Sequence, residues 1–142
     1  MLEACFIRVE VKKRELISRT DLAIEMVRRG VPVILGEVLS PNELRKIGVS
    51  QGYMFGKCAQ PQTLSHFRLL LDRGWAFGAL DEEGLLPVNL ERFANYRFST
   101  ESAEVFDDVF FFGEAQKNVF EDTYGIHDSF VVSGNPRTDM WQ

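Results

Sequence analysis

Four times along this chain a helix-like stretch closes at a glycine and a short apolar run follows. The closures are Arg29-Gly30 before Val31 to Leu35, Ile47-Gly48 before Tyr53 to Phe55, Arg73-Gly74 before Trp75 to Phe77, and Tyr124-Gly125 before Phe130 to Val132. Glycine just past a helix accepts the left-handed backbone that closes the last turn, and arginine before two of these glycines suits the negative end of the helix dipole. A second glycine set, Gly36, Gly56, Gly78, Gly113 and Gly134, follows the apolar runs instead. There glycine permits a tight turn and close approach of backbone to a ligand. Helix, glycine, strand, glycine in repetition predicts an α/β domain, and in an open α/β sheet the carboxyl edge of the strands is where ligands bind.

The segments between the glycines support that pattern. Cys5 to Val11, Val31 to Leu35, Tyr53 to Phe55, Trp75 to Leu80, Val109 to Phe112 and Phe130 to Val132 are apolar without alternation, as parallel strands covered on both faces should be. From Arg14 to Arg29, Leu16, Thr20, Ala23, Ile24 and Val27 recur at steps of three and four, so this stripe is expected to face the core, with Arg19, Glu25 and Arg28 opposite. Leu64, Phe67, Leu70 and Leu71 form a second stripe behind the start signals Pro61 and Thr63, and Ala115, Val119 and Phe120 a third. A shorter helix is expected from Pro41 to Ile47, with Ser40 as its N-cap. Residues 86–106 read as loop and short helix. The expected fold class is α/β, a Rossmann-like three-layer sandwich with a mostly parallel sheet of about six strands and four or five helices.

Composition removes several function classes. A length of 142 residues, 45% hydrophobic, suits one domain with a core on both sheet faces. A net charge of −5 argues against broad contact with nucleic-acid phosphates, and no partner of that kind is expected. No apolar stretch reaches the roughly 20 residues a membrane span needs, and the N-terminus lacks a signal-peptide layout. The two cysteines, Cys5 and Cys58, sit in apolar runs and read as buried thiols of a reducing cytoplasm. His66 and His127 are not spaced as a metal pair, and no metal or cofactor is expected.

Three clusters fall on the expected rim. Glu10-Val11-Lys12-Lys13-Arg14-Glu15 joins the first strand to the first helix, where free backbone N–H groups and cations suit an anion. Neither a dinucleotide fingerprint nor a phosphate-binding loop motif accompanies it, and a solvated charged loop is the plainer alternative. Asp81-Glu82-Glu83-Gly84 follows a buried strand, where desolvation or like charge raises a carboxyl pKa toward general acid or base work. An acidic surface turn is the alternative there. Gly134-Asn135-Pro136-Arg137-Thr138-Asp139 follows the last strand, with proline holding Asn135 extended and Thr138 or Asp139 able to cap a helix.

The stretch Glu10 to Arg19, the motif Asp81-Glu82-Glu83-Gly84-Leu85, the motif Phe112-Gly113-Glu114-Ala115-Gln116-Lys117 and the ending Val131 to Asp139 together resemble bacterial surface-carbohydrate (surface polysaccharide) biosynthesis proteins of the GT-B glycosyltransferase type. The ending is also similar to the Gly-Asn segment of the non-hydrolysing UDP-N-acetylglucosamine 2-epimerases, and Glu82 to Leu85 has a looser likeness to an acidic-Gly-Leu motif there. The resemblance spans nearly the whole chain. It implies the N-terminal half of a GT-B fold, with residues 1–134 as the acceptor-side domain and 135–142 as the start of an interdomain linker. The donor side would then be supplied by a C-terminal domain or a partner chain.

The activity implied is transfer of a sugar from a nucleotide-sugar donor to a glycan acceptor, in the cytoplasm or peripherally at the inner membrane. Glu82 and Glu83 are the expected catalytic or acceptor-orienting carboxylates. Glu10, Arg14, Glu15, Asp81, Gly113, Glu114, Asn135 and Arg137 are the expected substrate-binding residues, with Asn135 to Arg137 also forming the hinge. Apolar surface left where a second domain docks would favour self-association. Two alternatives stand beside this reading, a nucleotide-sugar 2-epimerase relative and a non-enzymatic flavodoxin-like binding module. The third strand ends Phe55-Gly56-Lys57, without the aspartate a receiver module would place there.

Overall fold

The computed structural model of this chain describes residues 2–37, 40–81 and 89–139. Its strands are β1 (Leu2–Arg8), β2 (Val33–Gly36), β3 (Val49–Gly56), β4 (Ala76–Leu80), β5 (Asp108–Phe111) and β6 (Phe130–Val132). Its helices are α1 (Lys12–Arg28), α2 (Pro41–Lys46), α3 (Leu64–Leu71) behind a 3-10 turn at Pro61–Thr63, α4 (Leu90–Arg97), α5 (Thr100–Val105), α6 (Glu114–Tyr124) and α7 (Pro136–Asp139). The strands form a single sheet in the order β2-β1-β3-β4-β5-β6. Every pairing is parallel, so the fold is the expected Rossmann-like sandwich with no antiparallel member among the described strands.

The helix-closing glycines do what their positions require. Gly30, Gly48, Gly74 and Gly125 hold φ between 77° and 88°, a region that penalises any Cβ. Each helix therefore ends abruptly and the chain enters the next strand within a few residues, which keeps all six strands running the same way.

Period-two alternation sorts the strand side chains onto two faces. One face carries Ala4, Phe6, Met54, Phe77, Ala79, Val109, Phe111 and Phe130, and α2 to α6 cover it with Leu44, Leu64, Phe67, Leu70, Ala94, Val105 and Phe120. Phenylalanines dominate this layer: Phe111 meets Phe120 edge-on at 4.9 Å, and Phe67 meets Phe77 at 5.0 Å. Such T-shaped pairs add to the area they bury. The second face, with Cys5, Ile7, Phe55 and Leu80, is covered by α1 through Ala23, Leu22 and Met26.

On α1 the sequence expectation is overturned except at Ala23, which does face the core. The buried positions are Glu15, Ser18, Arg19 and Ala23, with Leu22 and Met26 packed beside them. Leu16, Ile17, Ile24 and Val27 are exposed instead. Both stripes have helical spacing, but only the second would put four aliphatic side chains on the sheet. The inward stripe is the one whose first turn holds Glu15, which is bonded into the loop leaving β1. Two smaller differences concern boundaries. β1 ends at Arg8, leaving Glu10 in the loop, and residues 86–106 contain two capped helices, begun by Asn89 and Ser99, whose side chains accept from Arg92 N and Ser102 N.

Candidate functional site

β1 sits between β2 and β3, so the connection leaving β1 runs to one face of the sheet and the connection leaving β3 to the other. That divergence makes the carboxyl edge between β1 and β3 the topological switch point of an open α/β sheet, where such folds bind ligands. Charged side chains collect along it.

The loop after β1 is organised by Glu15. Its Oε2 accepts the backbone N–H of Glu10 at 2.7 Å and of Val11 at 3.2 Å, while its Oε1 accepts Arg14 Nη2 at 2.8 Å. Val11, the N-cap, has no side-chain bond to give, so Glu15 caps the loop from within the helix. Burial pushes the Glu15 carboxyl up, but the hydrogen bonds from Arg14, Glu10 and Val11 and the Arg14 charge outweigh it, and the pKa is lowered. The carboxylate thus fills, from inside the protein, the place expected for a bound anion. Glu15 is 1% exposed and Arg14 27%, so Arg14 is the member of the pair that reaches solvent.

From the far side of the switch point, Lys57 Nζ donates to Glu10 Oε2 at 3.1 Å, tying the loop after β1 to the end of β3. At the next strand Asp81 Oδ2 lies 3.3 Å from Arg97 Nε of α4, both side chains being largely buried. The Arg97 guanidinium also lies 5.6 Å from the Phe93 ring and 5.5 Å from the Tyr96 ring. Beneath this pair a cavity of about 20 Å³, bordered by Gln116 and Phe110, has room for about one water and none for a sugar. The expected catalytic residues Glu82 and Glu83 lie outside the described residues.

Beyond β5, Gly113 is the N-cap of α6 and Glu114 is exposed in its first turn. Gln116 reaches back so that its Oε1 accepts the Phe112 N–H at 3.0 Å, fixing the strand-to-helix turn. Beyond β6, Asn135 is buried; its Oδ1 accepts the Arg137 N–H at 2.9 Å and its carbonyl accepts Thr138 Oγ1 at 2.8 Å. The expected hinge residues therefore build the first turn of α7, which packs against α1, with Arg137 half-buried.

All eight expected substrate-binding residues stand on the carboxyl side of the sheet, in the loops or first helical turns after β1, β4, β5 and β6. They divide into local groups: Glu10, Arg14 and Glu15 at the switch point, Asp81 at β4, Gly113 and Glu114 at α6, and Asn135 and Arg137 at α7. Sequence reasoning missed two partners. Lys57 follows the strand-closing Gly56 in the rim position that Asp81 takes after β4, which was a usable signal. Arg97 lies inside a helix far along the chain and carries no local sign of its pairing. Among the described residues no three His, Cys, Asp or Glu side chains group as a metal site would require. A larger hollow of about 380 Å³ opens at the opposite, amino edge of the sheet, lined by Cys5, Met26, Val31 and Tyr53 with the Gln51–Glu3 hydrogen bond at its border. Its lining is mainly apolar side chains and backbone of the strand starts, and none of the expected site residues borders it.

Fold and rim together define an all-parallel, Rossmann-like domain with three ion pairs along its carboxyl edge, and among the described residues no helix is long and apolar enough to cross a membrane. No family model and no curated protein matches this chain.

Proposed function

We propose that this chain is the acceptor-side domain of a glycosyltransferase of the GT-B type, working in bacterial surface polysaccharide assembly. The observation that carries the reading is the placement of its sequence motifs. Segments far apart in the chain, around Arg14, Asp81, Glu114 and Asn135, meet one edge of one sheet. In an all-parallel sheet every strand-to-helix connection returns to this edge. What supports the reading is that the motif residues fall in those connections, where ligands bind, and not at the amino edge. Arg14 and Glu114 offer a cation and a carboxylate to glycan hydroxyls or charged substituents, and Lys57 and Arg97 hold the neighbouring carboxylates in place. The nucleotide-sugar donor would be bound chiefly by a second domain or partner chain facing this rim. Glu82 and Glu83 remain the proposed catalytic or acceptor-orienting carboxylates.

The test is backbone-amide NMR of the isotopically labelled chain titrated with fragments of bacterial surface glycans. Saturable shifts confined to the loops after β1, β4, β5 and β6 are the expected result. Tight binding of flavin mononucleotide at the same loops, with no response to any glycan, would replace this reading by that of a flavodoxin-like module.

A further inference from the structure

Among the rim charges, Arg8 stands apart. It is the last residue of β1, half-buried, and its Nε is sealed from solvent with no hydrogen-bond partner among the described residues. Of the other charged groups on the rim, Glu10 pairs with Lys57, Arg14 with Glu15 and Asp81 with Arg97, while Lys12, Lys13 and Glu37 are exposed to solvent. A long cation can bury its stem and keep its head wet, but a sealed guanidinium N–H that donates to nothing costs free energy.

The strands beside Arg8 explain why nothing in the protein fills the space. In register with Arg8 on β2 is Gly36, and one step beyond the Ile7–Phe55 pair on β3 is Gly56. All three positions lie on the face that carries Phe6, because alternate residues share a face. A Cβ on Gly36 would meet the Phe6 ring at 3.1 Å, and one on Gly56 would approach Phe67 at 3.8 Å. The floor around the guanidinium is therefore two bare backbones over two aromatic rings, at the carboxyl edge. Of the nearest carboxylates, Glu10 is held by Lys57, and Glu37, one residue past Gly36, is exposed and makes no ion pair among the described residues.

We infer that Arg8, flanked by Gly36 and Gly56 at the switch point, is the anion-binding group of a subsite for a phosphoryl group, carried by a free phosphate or by a larger ligand. The guanidinium fork matches phosphate oxygens in two-point contact. A phosphoryl dianion gains more than a singly charged carboxylate from a partly desolvated cation. This subsite does not depend on the glycosyl-transfer reading.

The experiment follows the Arg8 Nε–Hε signal of the labelled chain as inorganic phosphate is added, with sodium chloride at matched ionic strength as the control and sodium acetate as a competitor class. The expected result is a saturable shift with phosphate, a weaker or absent response to acetate, and only a shallow drift with chloride. In Arg8→Gln, phosphate binding read from the neighbouring Gly36 and Gly56 amides should weaken by about tenfold or more. Glucose 1-phosphate in place of inorganic phosphate separates a ligand-borne group from the free ion by the additional shifts it causes. An Arg8 signal that drifts alike in phosphate and chloride overturns the inference, and so does an equal response to acetate. Because the wild-type titration reads Arg8 directly, the outcome stands even if the variant does not fold.

Discussion

At the scale of single residues, Glu15 is the position where sequence and structure assign different work. The sequence offers it as a ligand-binding carboxylate, whereas in the fold it accepts two backbone N–H groups and Arg14 while buried. Removing it strands those donors, so Glu15→Ala should cost about 3 kcal/mol in urea unfolding. The pH dependence follows from the lowered pKa. Its stabilisation is complete above the ordinary value of 4.5 and is lost as pH falls through the lower folded value. Glu15→Gln should therefore be less stable than wild type at neutral pH and show a flatter acid limb, which unfolding midpoints between neutral and acid pH will read. Arg97→Ala leaves Asp81 largely buried without that partner and should cost about 2–3 kcal/mol by the same measurement. Gly52 poses a harder limit: a Cβ there would run into the backbone oxygen of Ala4 on β1, which cannot swing aside as a side chain can. Gly52→Ala should lower stability more than Gly78→Ala, where the obstacle is the Tyr53 side chain.

At the scale of elements, the chain makes its strand ends and helix stops readable and hides the orientation of α1. Glycine and cap signals are local, so they act through a few neighbouring dihedrals and can be read from neighbours. Ser40 meets that expectation: it caps α2 in a reciprocal box with Glu43. Ser99 does the same for α5 with Ser102, and the latter also donates to Ala59 O at 2.7 Å. That pair was legible in principle but lacks the usual Glu or Gln partner. The facing of α1 is different in kind, because two stripes compete and the choice depends on what the sheet and the loop after β1 accept. Its consequence is measurable. Ile17→Gln and Ile24→Gln should change stability by less than about 0.5 kcal/mol, since both side chains already face solvent. A loss of several kcal/mol for either would mean that α1 turns its aliphatic stripe to the sheet.

At the scale of the whole molecule, one face of the sheet carries five helices and the other is covered chiefly by α1, and the two thiols stand at different places: Cys5 in the cluster under α1, Cys58 buried just beyond β3. Cys5 lies under α1, where burial pushes its pKa up to about 11, and Cys58 lies at the end of β3 with its pKa also raised, first by burial. A thiol held protonated and out of solvent reacts slowly. Both should become reactive toward a soluble disulfide reagent only as the domain opens, with rates that rise together through the urea transition. Early reaction of Cys5 alone would show that α1 detaches before the helical layer on the other face.

The alternation of elements, the parallel direction of the strands and the edge on which the motifs gather were all determined by the sequence, because glycine closures, caps and unbroken apolar runs act over a few residues. What only the tertiary structure decided is which partner each charge takes. Glu10 pairs with Lys57, Asp81 with Arg97, and Glu15 with its own loop, because strand order and helix facing bring distant segments together. Burial raises the cost of leaving such charges unpaired, so the pairing is set by position in the fold rather than by anything written beside each residue.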